Sequence, residues 1–178
     1  MAPVRLGIND IPNISPDRGI FCDTNFLIFQ FADTSPEHKN LYSSIFLKLM
    51  VRMNPLFTDI IVVSEFINRL FVKEAVKRKI LPEQRKAFRD TKEGQQTMEK
   101  IYSQTKSIFE YPHIKLTNQG WNKKDIVNLL TVDRCDFNDK LIIEICRNNN
   151  LLLLTHDSDF ASAPIDILTA NKQLLKAL

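Results

Sequence analysis

Residues 19–29 read GIFCDTNFLIF: an apolar run, Ile20-Phe21-Cys22, stops at Asp23-Thr24-Asn25, and apolar residues resume at Phe26. That break reads as a buried strand, a tight loop and a helix, with Asp23 at the carboxyl end of the strand. A matching boundary lies far along the chain in NNNLLLLTHDSDF, residues 148–160, where four leucines run into Thr155, His156, Asp157, Ser158 and Asp159. The leucine run is too short to cross a membrane and reads as a second buried strand. In parallel α/β sheets, ligands collect outside the carboxyl ends of the strands, where the strand order reverses. Asp23 and Asp157 are both expected at such a crevice.

Two helical patterns carry further acids. In CDFNDKLIIEICRNN, residues 135–149, Leu141, Ile142, Ile145 and Cys146 recur at helical spacing, and Asp136 and Asp139 share one face of the first turn. In TDIIVVSEFINRLFVKEAVKRK, residues 58–79, Val63, Phe66, Ile67 and Leu70 form the apolar stripe, while Glu65, Asn68 and Arg69 lie on a polar side. Each acid taken alone has an ordinary structural reading. Asp23, Asp136 and Asp157 suit helix caps, Asp139 suits the positive end of a helix, and Glu65 can pair with Arg69 one turn on. The joint pattern, with acid at the end of both apolar strands and more on the connecting helices, favours a shared site.

The rest of the chain is mainly helical by pattern: residues 38–52, residues 83–109 after Pro82, and KKDIVNLL at 123–130. Residues 82–110 read as a helical arm or insertion in which Met98, Ile101, Tyr102, Ile108 and Phe109 serve packing. A short strand at Ile165–Leu168 and a closing helix end the pattern. Residues 1–18, rich in Pro, Asn and Asp, suggest an irregular strap before a single domain at 19–178. With 178 residues, 44% of them hydrophobic, the chain can bury a full core without disulfides. Cys22, Cys135 and Cys146 lack zinc-type spacing and suit a reducing compartment, so a cytoplasmic location is expected. No signal peptide or membrane-length run is evident.

Charge favours a polyanionic partner. Lys and Arg number 24 against 21 Asp and Glu, a net +3; without the four acids Asp23, Glu65, Asp139 and Asp157 the acidic count is 17 and the remainder carries +7. Lys73, Lys77, Arg78, Lys79, Arg85, Lys86, Arg89 and Lys92 form one basic stretch, and Lys123 with Lys124 a second. Such residues suit phosphate contacts, although interleaved acids also suit a solvated helix face. No aromatic and basic alternation marks a stacking platform for single strands.

Taken in order, DTNFLI at 23–28, the SEF segment around Glu65, DKLII from Asp139 and LLLLTHDSDF at 151–160 resemble the PIN-domain nuclease family, which includes VapC-like toxin ribonucleases. The resemblance covers residues 19 to 170 and implies a three-layer α/β/α domain with a mostly parallel central sheet. It implies a catalytic and metal-binding quartet of Asp23, Glu65, Asp139 and Asp157, with Asn25 and Thr155 orienting it and Asp136 and Asp159 as further candidate ligands. The choice between Asp136 and Asp139 stays open, because Lys140, Ile143 and Glu144 follow where the family often has small residues. Arg69, Lys73, Lys77, Lys123 and Lys124 are candidate substrate contacts. An all-oxygen ligand set suits Mg²⁺ or Mn²⁺. The implied reaction is hydrolysis of RNA to a 5′-phosphate and a 3′-hydroxyl, and the implied partners are RNA, an antitoxin protein and a second copy in a homodimer. A housekeeping RNA-processing nuclease, a Mg²⁺-dependent phosphotransfer enzyme and a non-catalytic RNA-binding scaffold are the alternatives. Asn25 stands where a phosphotransfer enzyme of the haloacid dehalogenase type carries its second Asp.

Overall fold

The computed structural model of the protein describes residues 3–132 and 135–176. One sheet contains β1 (Arg5–Leu6), β2 (Ile20–Cys22), β3 (Leu56–Thr58), β4 (Ile114–Leu116), β5 (Leu152–Leu154) and β6 (Ile167–Leu168), in the order β1-β6-β5-β2-β3-β4. Every neighbouring pair is parallel, so the sheet expected to be mostly parallel is wholly so. Helices α1 (Thr24–Phe31), α2 (Pro36–Val51), α3 (Ile60–Lys77), α4 (Arg85–Asp90), α5 (Lys92–Phe109), α6 (Lys123–Leu129), α7 (Phe137–Asn148) and α8 (Lys172–Leu175) complete a three-layer α/β/α domain. Among the described residues, no helix is long and apolar enough to cross a membrane.

The two apolar runs are the central strands. β2 and β5 lie side by side with Ile20 opposite Leu152 and Cys22 opposite Leu154, and all six of their side chains are buried. From β2 the chain moves outward through β3 and β4, then returns to the opposite side of β2 with β5. This reversal is the topological switch point, where parallel sheets of this kind form a crevice, and the carboxyl ends of β2 and β5 lie side by side there.

Three departures from the sequence reading have local causes. The helix expected over 58–79 begins at Ile60, because Leu56–Thr58 is a strand and Asp59 caps the helix by accepting from the Ile61 N–H at 3.1 Å. A three-residue strand running straight into a helix offers too few residues for a change of period to show. The leading segment is also more than an irregular strap. Arg5–Leu6 pairs with β6, and the Arg5 guanidinium donates to the carbonyls of Ala161, Ala163 and Ile165 at 2.9, 2.9 and 2.8 Å. Residues 82–110, expected as one helical arm or insertion, form two helices, α4 and α5, packed against the rest of the domain. Phe88, Ile101 and Ile108 are buried, and the Phe88 ring stacks on Phe71 of α3 at 5.9 Å.

The elbow between α4 and α5 is tight. Thr91 Oγ1 donates to the Phe88 carbonyl at 2.7 Å and accepts from the Gly94 N–H at 3.0 Å. A Cβ at Gly94 would lie 1.9 Å from the Phe88 carbonyl oxygen, a backbone atom with no rotamer to yield. Gly94→Ala is therefore expected to destabilise the fold by about 1–2 kcal/mol, overpacking outweighing the better helix propensity of alanine. Urea denaturation checks this, and a midpoint at or above the parental one would show that the elbow relaxes freely.

The residues after Asp139 do not loosen α7. Leu141, Ile142, Ile143, Ile145 and Cys146 are buried, and the buried Lys140 sends its Nζ to Thr131 Oγ1 at 3.0 Å. Cys22 and Cys146 are free and buried, and desolvation pushes both thiols above their ordinary range.

Candidate functional site at the strand carboxyl ends

Asp23 directly follows β2, and its backbone N–H donates to the Leu154 carbonyl at 3.1 Å. Its side chain caps α1. One carboxylate oxygen accepts from the Thr24 N–H at 2.6 Å, and the other accepts from Thr155 Oγ1 at 2.7 Å. Thr155 lies just beyond β5, so this one carboxylate ties the ends of the two central strands. Asp23 is only 4% exposed, and burial pushes its carboxyl up to about 6. The bonds from Thr155 and Thr24 oppose that rise, while repulsion from Glu65 and Asp157 adds to it.

Glu65 reaches the same crevice from the second turn of α3. Thr24 Oγ1 donates to its Oε2 at 2.9 Å, and Arg69 pairs with its Oε1 at 2.6 Å. Arg69 also donates to Asn25 Oδ1 at 3.1 Å. The Asn25 amide nitrogen in turn lies 3.3 Å from Asp157 Oδ2 and 3.5 Å from Asp23 Oδ2. Thus Asn25 stands between the two strand-end acids, with its carbonyl held by Arg69. Asp157 caps a 3-10 turn at Ser158–Ser162 by accepting from the Asp159 N–H at 3.1 Å, and its own N–H donates to Thr155 Oγ1 at 3.0 Å.

Asp139 is half-buried in the first turn of α7, where its N–H donates to Asp136 Oδ1 at 2.9 Å. Burial first, and then the Asp136 charge, push the Asp139 carboxyl up to about 7; a backbone hydrogen bond at Asp136 opposes this, and Asp157 and Asp23 raise it further. Asp139 therefore feels the charges of the strand-end acids. The Asp136 carboxylate serves as the cap. Asp159 is exposed and contributes its backbone N–H to Asp157.

Each ordinary reading of an acid is therefore correct: Asp23, Asp136 and Asp157 are caps, and Glu65 pairs with Arg69. Capping fixes the rotamer and holds the carboxylate at the sheet edge, so it aims the charge and does not compete with a shared site. Among the described residues, no three acidic, histidine or cysteine side chains stand close enough, as placed, to hold one metal ion. The donor chemistry nevertheless fits a hard cation. Asp23, Glu65 and Asp157 offer oxygen ligands joined through Thr24, Asn25 and Thr155, and burial first, then repulsion from neighbouring carboxylates, pushes the carboxyls of Asp23 and Asp139 up to about 6 and about 7.

A family model for the PIN domain matches residues 20–165. The chain belongs to the PIN domain family. PIN domains are typically nucleases, and the matched span holds Asp23, Glu65, Asp139 and Asp157. No curated protein sequence matches the chain.

The expected substrate cations do not gather here, apart from Arg69. Lys73 Nζ donates to the Asp33 carbonyl, and Lys77 pairs with Glu74 at 2.8 Å, both in a groove between α1, α3 and α5. Lys123 and Lys124 are exposed on α6, and neither forms an ion pair among the described residues. Two supporting residues escaped the sequence reading. Thr24 bridges α1 to Glu65, a contact between residues 41 apart. The buried Tyr42 hydroxyl lies 2.8 Å from His156 Nδ1 and 3.2 Å from the Thr155 carbonyl, bracing the loop that carries Asp157.

Proposed function

We propose that this PIN domain is a divalent-metal-dependent endoribonuclease. The observation carrying the reading is that Asp23, Glu65 and Asp157, on separate elements, are tied into one cluster through Thr24, Asn25 and Thr155, where burial pushes Asp23 up to about 6 and, at the start of α7, Asp139 up to about 7. Deprotonated at working pH, such a cluster has a strong affinity for a cation. Asp23, Glu65, Asp139 and Asp157 would hold Mg²⁺ or Mn²⁺. When bound, the ion supplies charge to activate water and to stabilise the leaving oxygen of a phosphodiester. Thr24 and Thr155 fix the Asp23 carboxylate, Asn25 orients Asp157, and Arg69 holds Glu65. The +7 carried by the rest of the chain supports a nucleic-acid substrate through counterion release.

The test is incubation of the purified protein with unstructured RNA and with single-stranded DNA, with Mg²⁺, Mn²⁺ or chelator. RNA fragments with 5′-phosphate and 3′-hydroxyl ends, absent with chelator and absent for Asp157→Asn, are expected. Cleavage that survives chelation, or that Asp157→Asn performs at the parental rate, would remove the reading. Growth arrest on expression, relieved by a co-expressed antitoxin, would mark the toxin setting; unimpaired growth would mark RNA processing.

A further inference from the structure

A groove of about 520 Å³ runs from the acidic crevice along α3, between α3, α5 and the start of α7. It opens on Glu65 and on Asn138, the neighbour of Asp139. Ile60, Ile61, Ile67 and Met98 contribute its apolar lining, and Ile60 is 66% exposed. Two residues at its margin have unused recognition chemistry. Tyr102 is 49% exposed, which leaves its ring open to stacking. The Arg89 guanidinium lies 4.7 Å above the Phe71 ring centroid and has no carboxylate partner among the described residues. Phe71 lies six residues beyond Glu65, roughly 9 Å along the helix.

We propose that this groove is a single-stranded RNA subsite, in which Tyr102 stacks a base next to the cut and Arg89 holds a neighbouring phosphate. The inference rests on the nuclease reading above and specifies which strand form that site takes. Three features argue for a nucleotide. The volume is that of a small-ligand pocket, enough for a base and its sugar. The lining joins apolar and aromatic faces, which suit bases, to one unpaired cation, which suits a phosphate. The groove is also lined by Glu65, one of the acids proposed to act on the phosphodiester, and by Asn138 beside a second. Arg89 is well placed for this, because the Phe71–Phe88 stack and the Gly94 elbow fix its end of α4. A duplex would keep its bases paired and inaccessible to Tyr102, so single strands should be preferred.

The test is fluorescence anisotropy of the full chain with a labelled unstructured RNA oligonucleotide, first in chelator and then in Mg²⁺. Tyr102→Ala should weaken binding about fivefold or more, and Tyr102→Phe should restore it. Arg89→Gln should weaken binding and lower the slope of log affinity against log salt by about one phosphate, whereas Tyr102→Ala should leave that slope unchanged. Both side chains are exposed, so thermal melts should stay near the parental midpoint. Parental affinity and salt slope in both variants would overturn the subsite, as would equal affinity for duplex RNA or no RNA binding in either condition. Loss of self-association in sedimentation, with RNA binding intact, would give the groove to a second copy of the chain. Cleavage is scored separately. Protein that binds through the groove but never cuts removes the nuclease reading alone, and protein that cuts with both variants binding normally removes the subsite alone.

Discussion

Asp23→Asn is expected to lower metal-dependent RNA cleavage about a thousandfold or more while making the folded protein more stable near pH 8. The activity loss follows from removing the carboxylate shared by both central strands and replacing a charged oxygen ligand with a neutral amide. The stability gain follows from its titration. Asp23 is buried, and its carboxyl rises from the ordinary 3.8 to about 6, which corresponds to about 3 kcal/mol of penalty for holding it ionised. A carboxyl that titrates higher in the folded state holds more protons there than in the unfolded chain. Its penalty is complete above the folded value, declines as the pH falls through it, and vanishes below the unfolded one. Asparagine removes the penalty at every pH but keeps the Thr24 and Thr155 hydrogen bonds imperfectly, so a net gain of about 1–2 kcal/mol is expected. Chemical denaturation near pH 8, read beside the cleavage rate, checks both halves. A variant that is less stable than the parent and inactive would indicate a structural role for Asp23.

The strand-end acids were legible in the sequence because an apolar run that stops at a polar residue needs no tertiary knowledge to interpret. Asp23 and Asp157 stood at such boundaries, and the structure sets them after β2 and β5 at the reversal of strand order. Glu65 was legible only as an acid off the apolar stripe of its helix. Which way it points depends on α1 and α3 meeting through Thr24, a contact set by packing. Tyr102 was read as packing for a related reason. Its neighbour Ile101 is 2% exposed, and the width of the α3–α5 seam decides which of two adjacent residues is covered. Arg89 and Tyr102 come from different helices, α4 and α5, and line one groove only once both pack on α3, so the linear pattern does not show them together. β3 and β4 were missed because neither shows a period. β3 runs into the cap of α3, and β4, at the sheet edge, buries only Ile114 of its three residues.

Adding Mn²⁺ or Mg²⁺ is expected to reverse the pH dependence of stability. In metal-free protein, the folded state binds protons at Asp23 and Asp139 that the unfolded chain has already lost. Stability from this source should therefore rise as the pH falls from about 8 to about 5, before acid destabilises the rest of the fold. A bound cation requires both carboxyls to be ionised, so protons compete with it. Apparent metal affinity should begin to weaken near pH 7, where Asp139 titrates, and below pH 6 should fall by up to about a hundredfold per pH unit, tenfold for each displaced proton. Metal should consequently raise the melting temperature most near pH 8 and least near pH 5, giving slopes of opposite sign with and without the ion. Thermal melts across that range, in chelator and in saturating Mn²⁺, measure both slopes without relying on RNA cleavage. Asp23→Asn should lose most of the metal-induced shift, because its side chain can no longer offer a charged ligand. Parallel slopes in the two conditions, or an undiminished shift in Asp23→Asn, would mean that the ion binds elsewhere and that the crowding of these carboxyls serves something other than a cation.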